Sequence, residues 1–340
     1  MNLVIDKEII IEDSHVAINL MERDSHFLHI IGNLYNCNMI GRGNLIRITG
    51  EELQVEKVIQ LIYELRYLLK RNIRLSQRQI YAVADALQQG KIEAFHEMAE
   101  DVINVTKNGT IIRPRTLGQK TYIDAIRHNS ITFGVGPAGT GKTYLAVALA
   151  AYYLRNKEVQ RIILVRPAVE AGEKLGFLPG DMKDKIDPYL QPLYDALEDM
   201  IPAVKLQDMM EKHIIQIAPL AFMRGRTLSD AVVILDEAQN TTPQQIRMFL
   251  TRMGWNTKMI ITGDMTQIDL PREQRSGLKE ALHILHDTEG IGVVNLDKKD
   301  IVRHKLVTRI VDAYAAYDKQ VQVVAEKAGS KSKSGKGKGN

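Results

Sequence analysis

The residues with the clearest chemical purpose are Gly136-Pro137-Ala138-Gly139-Thr140-Gly141-Lys142-Thr143. Their spacing, G-x-x-x-x-G-K-T, is that of a phosphate-binding loop. The apolar run Ile131 to Val135 before it reads as a strand, and Tyr144 to Leu154 after it reads as a helix. Such a loop needs that strand–loop–helix context. Glycines let backbone amides turn toward phosphate oxygens, and the helix N-terminus adds the positive end of its dipole. All eight residues, Gly136 to Thr143, are therefore candidate phosphate-binding residues. Lys142 suits the β- and γ-phosphates, and the Thr143 hydroxyl suits Mg2+.

A second feature is Ala231-Val232-Val233-Ile234-Leu235-Asp236-Glu237, an apolar strand ending in two acids. Asp236 is placed to hold Mg2+, and Glu237 to orient or deprotonate an attacking water. A water base distinguishes a hydrolase from a kinase that passes phosphate to another acceptor. A third strand, Met259 to Thr262, runs into Gly263-Asp264-Met265-Thr266-Gln267. Its tip is expected between the loop and the acid strand, with Gln267 near the γ-phosphate or the water. Upstream, Gln119 in Leu117-Gly118-Gln119 carries an amide that suits the adenine edge. Developing phosphoryl charge also calls for a cation, and Arg224, Arg226, Arg275 and Arg303 are the candidates.

These residues need a scaffold, and the chain supplies its pattern. Strand-like segments at 131–135, 162–165, 214–217, 232–235, 259–262 and 291–294 alternate with helix-length stretches. That alternation predicts a parallel sheet with helices on both faces. Before it, Glu8 to Ile11, Val16 to Ile18, Met39-Ile40 and Leu45 to Ile48 read as strands. Phe27 to Leu34 reads as a short helix, Gly41-Arg42-Gly43 as a turn, and Gly50 as a strand breaker. The apolar spacing of Val55 to Leu69 is one face of a helix. Ser76 to Leu87 and Ile92 to Val105 are also expected to be helical. The expected domains are a small α+β unit over 1–72, a helical linker over 73–115, a P-loop domain over 116–325 and a basic tail over 326–340.

Composition narrows the class. At 340 residues, 45% hydrophobic and 25% charged, the chain is an ordinary globular protein and neither fibrous nor wholly disordered. One cysteine, Cys37, excludes an intramolecular disulfide. The longest apolar run, Leu145 to Leu154, is too short to span a bilayer, and the acidic start MNLVIDKEIIIED is unlike a signal peptide. A cytoplasmic protein without membrane contact is expected. The net charge of +4 resides in the tail, whose five lysines, once removed, leave 40 basic against 41 acidic residues.

Several motifs fall in one order: Thr116-Leu117-Gly118-Gln119, Gly136 to Thr143, Val165 to Glu173, Gly176 to Asp181, Arg224-Gly225-Arg226-Thr227, Leu235 to Asn240, Thr262-Gly263-Asp264, Ser276-Gly277-Leu278 and Arg303-His304. Together they resemble the PhoH-like ATPase family over roughly residues 75 to 325. The core is similar to the RecA-like domain of superfamily 1 helicases, with Gly263-Asp264-x-x-Gln267 like their third motif and Gln119 like their adenine-reading glutamine. The resemblance implies ATP and Mg2+ as ligands, ATP hydrolysis, an RNA-related role and an endoribonuclease partner in ribosomal RNA maturation. Some members carry a fused PIN nuclease domain; no segment here is spare for one, so RNA cleavage by this chain is not expected. The N-terminal unit resembles a KH domain but lacks its GxxG loop, and with 8 basic and 10 acidic residues over 1–72 it fits a docking or assembly module at least as well.

A single RecA-like core leaves the ATP site to be completed by a neighbour. A homo-oligomer, with a ring as one form, is expected, with Arg275 or Arg303 as the finger in cis or trans. Two functions compete: an RNA-associated, helicase-like ATPase, and an ATP-dependent switch or adaptor acting on a protein without remodelling RNA.

Overall fold

The computed structural model describes residues 3–21, 25–71, 73, 75–167, 182–271 and 273–302, with 306, 307, 310 and 313. Its N-terminal part is a small antiparallel sheet of order β1-β3-β2, built from β1 (Val4–Ile10), β2 (Asn38–Arg42) and β3 (Leu45–Glu51). Helices α1 (Ser14–Met21), α2 (His26–Tyr35) and α3 (Glu52–Lys70) accompany it. Val16 to Ile18, expected as a strand, lies inside α1 instead. The reason is local: Asp13 Oδ1 accepts the backbone N–H groups of His15 and Val16, which starts a helix, and Val16, Ala17 and Leu20 then share its buried face. The expected turn at 41–43 also shifts. Gly41 and Arg42 stay in β2, and Gly43, with φ +64, begins the reversal. Gly50 does not break its strand, since β3 continues through Glu51. A Cβ at Gly50 would meet Cys37 Sγ at 2.7 Å, so glycine serves close packing there.

Helices α4 (Gln77–Gln88) and α5 (Ile92–Glu100) pack their apolar faces into the same core cluster, which runs from Ile9 to Ala99. The helix expected to reach Val105 ends at Glu100. Beyond it the chain forms the hairpin β4 (Asn104–Val105) and β5 (Ile111–Ile112). Asp101 redirects it: its carboxylate, 9% exposed, pairs with Arg127 at 2.7 Å and Lys120 at 3.1 Å.

The large sheet has six strands, all parallel, in the order β11-β6-β10-β9-β7-β8. They are β6 (Ile131–Val135), β7 (Arg161–Arg166), β8 (Ile215–Pro219), β9 (Ala231–Leu235), β10 (Thr257–Gly263) and β11 (Ile291–Asn295). All six were legible as buried apolar runs, because both faces are covered. Alternate side chains of β9 enter two separate cores: Val232 and Ile234 join one with α6 (Leu117–His128), α7 (Lys142–Arg155) and α8 (Met182–Met200). Val233 and Leu235 join the other, with α10 (Pro243–Leu250) and α11 (Gly277–Leu285); α9 (Ala203–Glu211) precedes β8. A parallel sheet flanked by helices, with β10 between the loop strand β6 and the acid strand β9, is the RecA-like P-loop arrangement. No helix among the described residues is long and apolar enough to cross a membrane.

Tyr122 of α6 fills the space under β6, and a Cβ at Gly134 would collide with its ring. The ring is fully buried, its hydroxyl has no hydrogen-bond partner among the described residues, and burial pushes its ionisation far up. Removing that hydroxyl relieves an unpaid desolvation cost. Tyr122→Phe is therefore expected to leave the fold as stable or to raise stability by about 1 kcal/mol, read as a shift in the denaturant midpoint.

Candidate active site

The loop Gly136–Thr143 leaves β6 at the carboxyl end of the sheet and leads into α7, where ligands of open parallel sheets bind. Gly139 and Gly141 take φ +86 and +80, the left-handed region that glycine adopts without strain. Gly136 is needed for a different reason, because a Cβ there would collide with the Leu296 carbonyl. The first amides of α7 have no partner within the helix and face the loop. Lys142 Nζ donates to the carbonyls of Gly136 at 2.6 Å and Pro137 at 3.0 Å, so its ammonium lies inside the loop's curve.

Three strands bring their ends to this loop. Thr143 Oγ1 and Thr262 Oγ1 donate to Asp236 Oδ1 at 2.7 and 2.6 Å. Arg166, the last residue of β7, forks onto Asp236 Oδ2 with Nε at 2.9 Å and Nη2 at 2.7 Å. Arg166 also lies 3.7 Å from Glu237 Oε1. From β10, Asp264 Oδ2 accepts the Ala138 amide at 2.9 Å, and the Gly263 carbonyl accepts the Gly136 amide at 3.1 Å. One cleft of ≈ 460 Å³ is lined by Gly139, Lys142, Thr143, Asp236, Glu237 and Gln267, with Arg166 beside them. Tyr144 and the α8 residues Asp195 and Asp199 form another wall. Burial, and then the Asp199 carboxylate, push the Tyr144 phenol above its ordinary range.

Glu237 sits at φ +56, a conformation that costs a non-glycine residue about 1–3 kcal/mol. A neighbour holds it there. Gln239, fully buried, donates from Nε2 to Glu237 Oε2 at 2.5 Å and to the Gln267 carbonyl at 3.1 Å. Its Oε1 accepts the Asp264 amide at 3.0 Å. One amide thus ties the acid pair to the Gln267 loop.

The structure separates the remaining candidates. Gln119 is 3% exposed; its Oε1 accepts the Arg115 amide at 2.7 Å and its Nε2 donates to the Thr140 carbonyl at 2.9 Å. Both ends of the side chain expected to read adenine are engaged by backbone, so Gln119 braces the phosphate loop from behind. Arg275 is exposed and does not line the cleft. Its neighbours are anchored: Ser276 Oγ donates to the Gln239 carbonyl at 2.8 Å, and the Gly277 amide to the Thr241 carbonyl at 2.7 Å. Arg303 lies outside the described residues, although the preceding Val302 donates its amide to the Gly139 carbonyl at 2.8 Å. Arg226 donates to Gln216 Oε1 at 2.8 Å, and Arg224 is exposed.

Sequence spacing assigns no role to Gln239, Thr262, Asp264 or Asp300. Asp300 Oδ1 accepts the Thr116 hydroxyl at 2.6 Å and packs where a Cβ on Gly118 would be, tying the segment after β11 to the start of α6. The available signal was the adjacency of these polar residues to apolar strand ends. Gln239→Ala leaves the buried Asp264 amide without its acceptor. It is expected to cost about 1–3 kcal/mol of stability by guanidinium unfolding.

Comparison with known proteins places the chain in a family. Residues 111–315 match the family described as PhoH-like protein. A PhoH-like protein of Bacillus subtilis is 49% identical over 304 residues, covering 89% of this chain and 94% of that protein. A PhoH-like protein of Synechocystis is 50% identical over 298 residues, covering 88% and 91%. Protein PhoH of Escherichia coli K12 is 43% identical over 261 residues, covering 76% and 72%. With a phosphate loop, an acid-tipped strand one place removed from the loop strand and this extent of identity, the chain belongs to the PhoH-like protein family.

Proposed function

We propose that this PhoH-like protein is a Mg2+-dependent ATPase that hydrolyses ATP to ADP and phosphate and acts in RNA metabolism. One observation supports the hydrolytic reading above others. The Thr143 hydroxyl and the Asp236 carboxylate meet at 2.7 Å in a cleft that also holds Lys142, Glu237 and Gln267. The glycine loop, Gly136 to Thr143, suits a triphosphate, and the hard oxygens of Thr143 and Asp236 suit Mg2+. When bound, Mg2+ neutralises phosphate charge. Glu237, with a side chain 40% exposed, accepts the proton of the attacking water, and Gln267 orients that water.

The finger is proposed to be Arg275 or Arg303, in cis or from a neighbouring copy in a homo-oligomer or ring. The anchoring of Ser276 and Gly277 to the turn after Glu237 supports Arg275 as the rigidly presented one. RNA and an endoribonuclease are the proposed partners, in a cytoplasmic setting. A surface feature supports RNA on the ATPase body. Segments 219–229 and 238–257 carry Arg224, Arg226, Arg247 and Arg252 but no Asp or Glu. Phe222 is 59% and Trp255 is 90% exposed in the same segments. The two segments touch: Leu228 pairs with Met253, and Arg252 Nη1 donates to the Arg226 carbonyl at 3.4 Å. Arginines with exposed aromatic rings are the elements of single-strand binding. A protein-directed switch is the second reading, favoured by the mixed outer face of the N-terminal sheet, where Val4, Ile10 and Ile40 are exposed beside Glu8 and Arg47.

The steady-state ATPase rate, measured with and without single-stranded RNA, tests this. The full chain and a chain ending at Glu326 are both expected to be stimulated. Stimulation lost with the tail would reduce RNA contact to its lysines, and none in either chain would favour the protein-directed switch. Lys142→Ala should abolish nucleotide binding, while Glu237→Gln should keep ATP bound and lower kcat by about 10²–10⁴-fold. Normal turnover by Glu237→Gln would remove that residue from its role. Trp255 is the only tryptophan, so its fluorescence reports the surface directly. Quenching by single-stranded RNA that weakens steeply with salt is expected.

A further inference from the structure

The cleft has two unlike walls. One carries Lys142, Thr143, Asp236 and Glu237, the groups suited to phosphate, Mg2+ and water. The other is Tyr144 of α7 with Pro192, Asp195, Ala196 and Asp199 of α8. Those α8 positions are spaced i, i+3, i+4 and i+7, which is one face of a helix. The opposite face of α8, Leu190, Leu193, Leu197 and Met200, is buried in the core that also holds Leu145 and Leu149 of α7, so this wall is fixed in place. Tyr144 follows Thr143 directly, and its side chain leaves α7 about 100° around the helix from the Thr143 hydroxyl. Its ring is half-buried and is the only aromatic ring lining the cleft among the described residues.

The charge of this wall says what it takes. Asp195 and Asp199 are exposed carboxylates, which repel a phosphate chain. Ionised carboxylates only accept hydrogen bonds, so they suit an uncharged group that donates. Asp195 Oδ1 accepts from Gln191 Nε2 at 2.8 Å, and acceptor capacity remains, because a carboxylate has about four lone-pair positions. Pro192 and Ala196 lie on the same helix face as the acids and are compact, which leaves room for a flat ring. A nucleobase with an exocyclic amino group is planar, uncharged and a donor. Gln119, whose amide is bonded at both ends to backbone, is absent from the lining of the cleft.

We infer that this wall is the nucleobase subsite: Tyr144 stacks on the base, and Asp195 and Asp199 accept from its exocyclic amino group, which selects adenine over hypoxanthine. A 6-oxopurine turns an acceptor oxygen toward the two carboxylates where adenine turns a donor. The inference rests on the nucleotide reading above and adds to it the residues that choose the base.

The experiment is calorimetric titration of the full chain, in Mg2+, with ADP, IDP or inorganic tripolyphosphate. The wild-type chain is expected to bind ADP at least about tenfold tighter than IDP, the effect of a hydrogen bond to a charged acceptor. Tyr144→Leu is expected to weaken ADP at least about fivefold, and Tyr144→Phe, which keeps the ring, to stay within about twofold of wild type. Tripolyphosphate, held by the loop alone, is expected to bind Tyr144→Leu within about twofold of wild type. The double variant Asp195→Asn with Asp199→Asn offers amide donors to the 6-oxo group and is expected to cut the preference for ADP at least about fivefold. Unchanged ADP binding by Tyr144→Leu would overturn the inference, as would an unchanged preference in the double variant or none in the wild type. So would an equal loss of tripolyphosphate binding in Tyr144→Leu, which would tie Tyr144 to the fold or the phosphates instead of the base. A wild-type chain that binds none of the three would overturn the nucleotide reading and this inference together.

Discussion

The carboxylate of Asp236 joins parts of the chain that are far apart in sequence. Its oxygens accept from Thr143 at the mouth of α7, Thr262 on β10 and Arg166 on β7. With the side chain only 4% exposed, an unpaired charge there would be expensive, so the donors must be in place for the sheet end to be stable. The geometry a phosphate site needs and the geometry a buried carboxylate needs therefore coincide. The phosphate loop is positioned by the acid strand as much as by its own glycines.

A second set of ties holds the loop from outside. Asp264 accepts the Ala138 amide, Gln119 grips the Thr140 carbonyl, and Val302 reaches the Gly139 carbonyl. Thus the end of β10 contributes two polar contacts to the loop backbone, through the Gly263 carbonyl and Asp264, and α6 and the segment after β11 one each. Close packing around the loop also accounts for glycine at 118, 134 and 136, where a Cβ would strike Asp300, Tyr122 or Leu296. Gln239 performs the same service at the other side of the cleft, linking Glu237 to the loop that carries Gln267. The cleft is consequently rigid at the phosphate end. Gln267, which lines the cleft, is exposed.

Much of the large domain was legible because its chemistry and its packing leave local signatures. A strand buried on both faces is largely apolar, as β9 (AVVIL) is throughout, and β6, β7, β8, β10 and β11 are short, mainly apolar runs that stand out in the sequence. The small N-terminal unit was less legible. Val16 to Ile18 is apolar at consecutive positions, and the Asp13 cap together with the packing of Val16, Ala17 and Leu20 in the N-terminal core makes that run a helix. Gly50 looked like a breaker because close packing against Cys37 is not encoded near it.

The amino-acid sequence by itself determined the phosphate loop, the acid pair at the end of β9 and the parallel sheet that carries both. These depend on contiguous residues whose spacing follows from the strand and helix repeats. Tertiary structure alone decided which side chains surround that loop. It set the Gln119 amide against the Thr140 carbonyl, brought Arg166 onto Asp236 across 70 residues, and made Gln239 the link between Glu237 and Gln267. The physical reason is that hydrogen-bond partners of a buried polar group are set by strand order, and strand order is a property of the whole sheet rather than of any local segment.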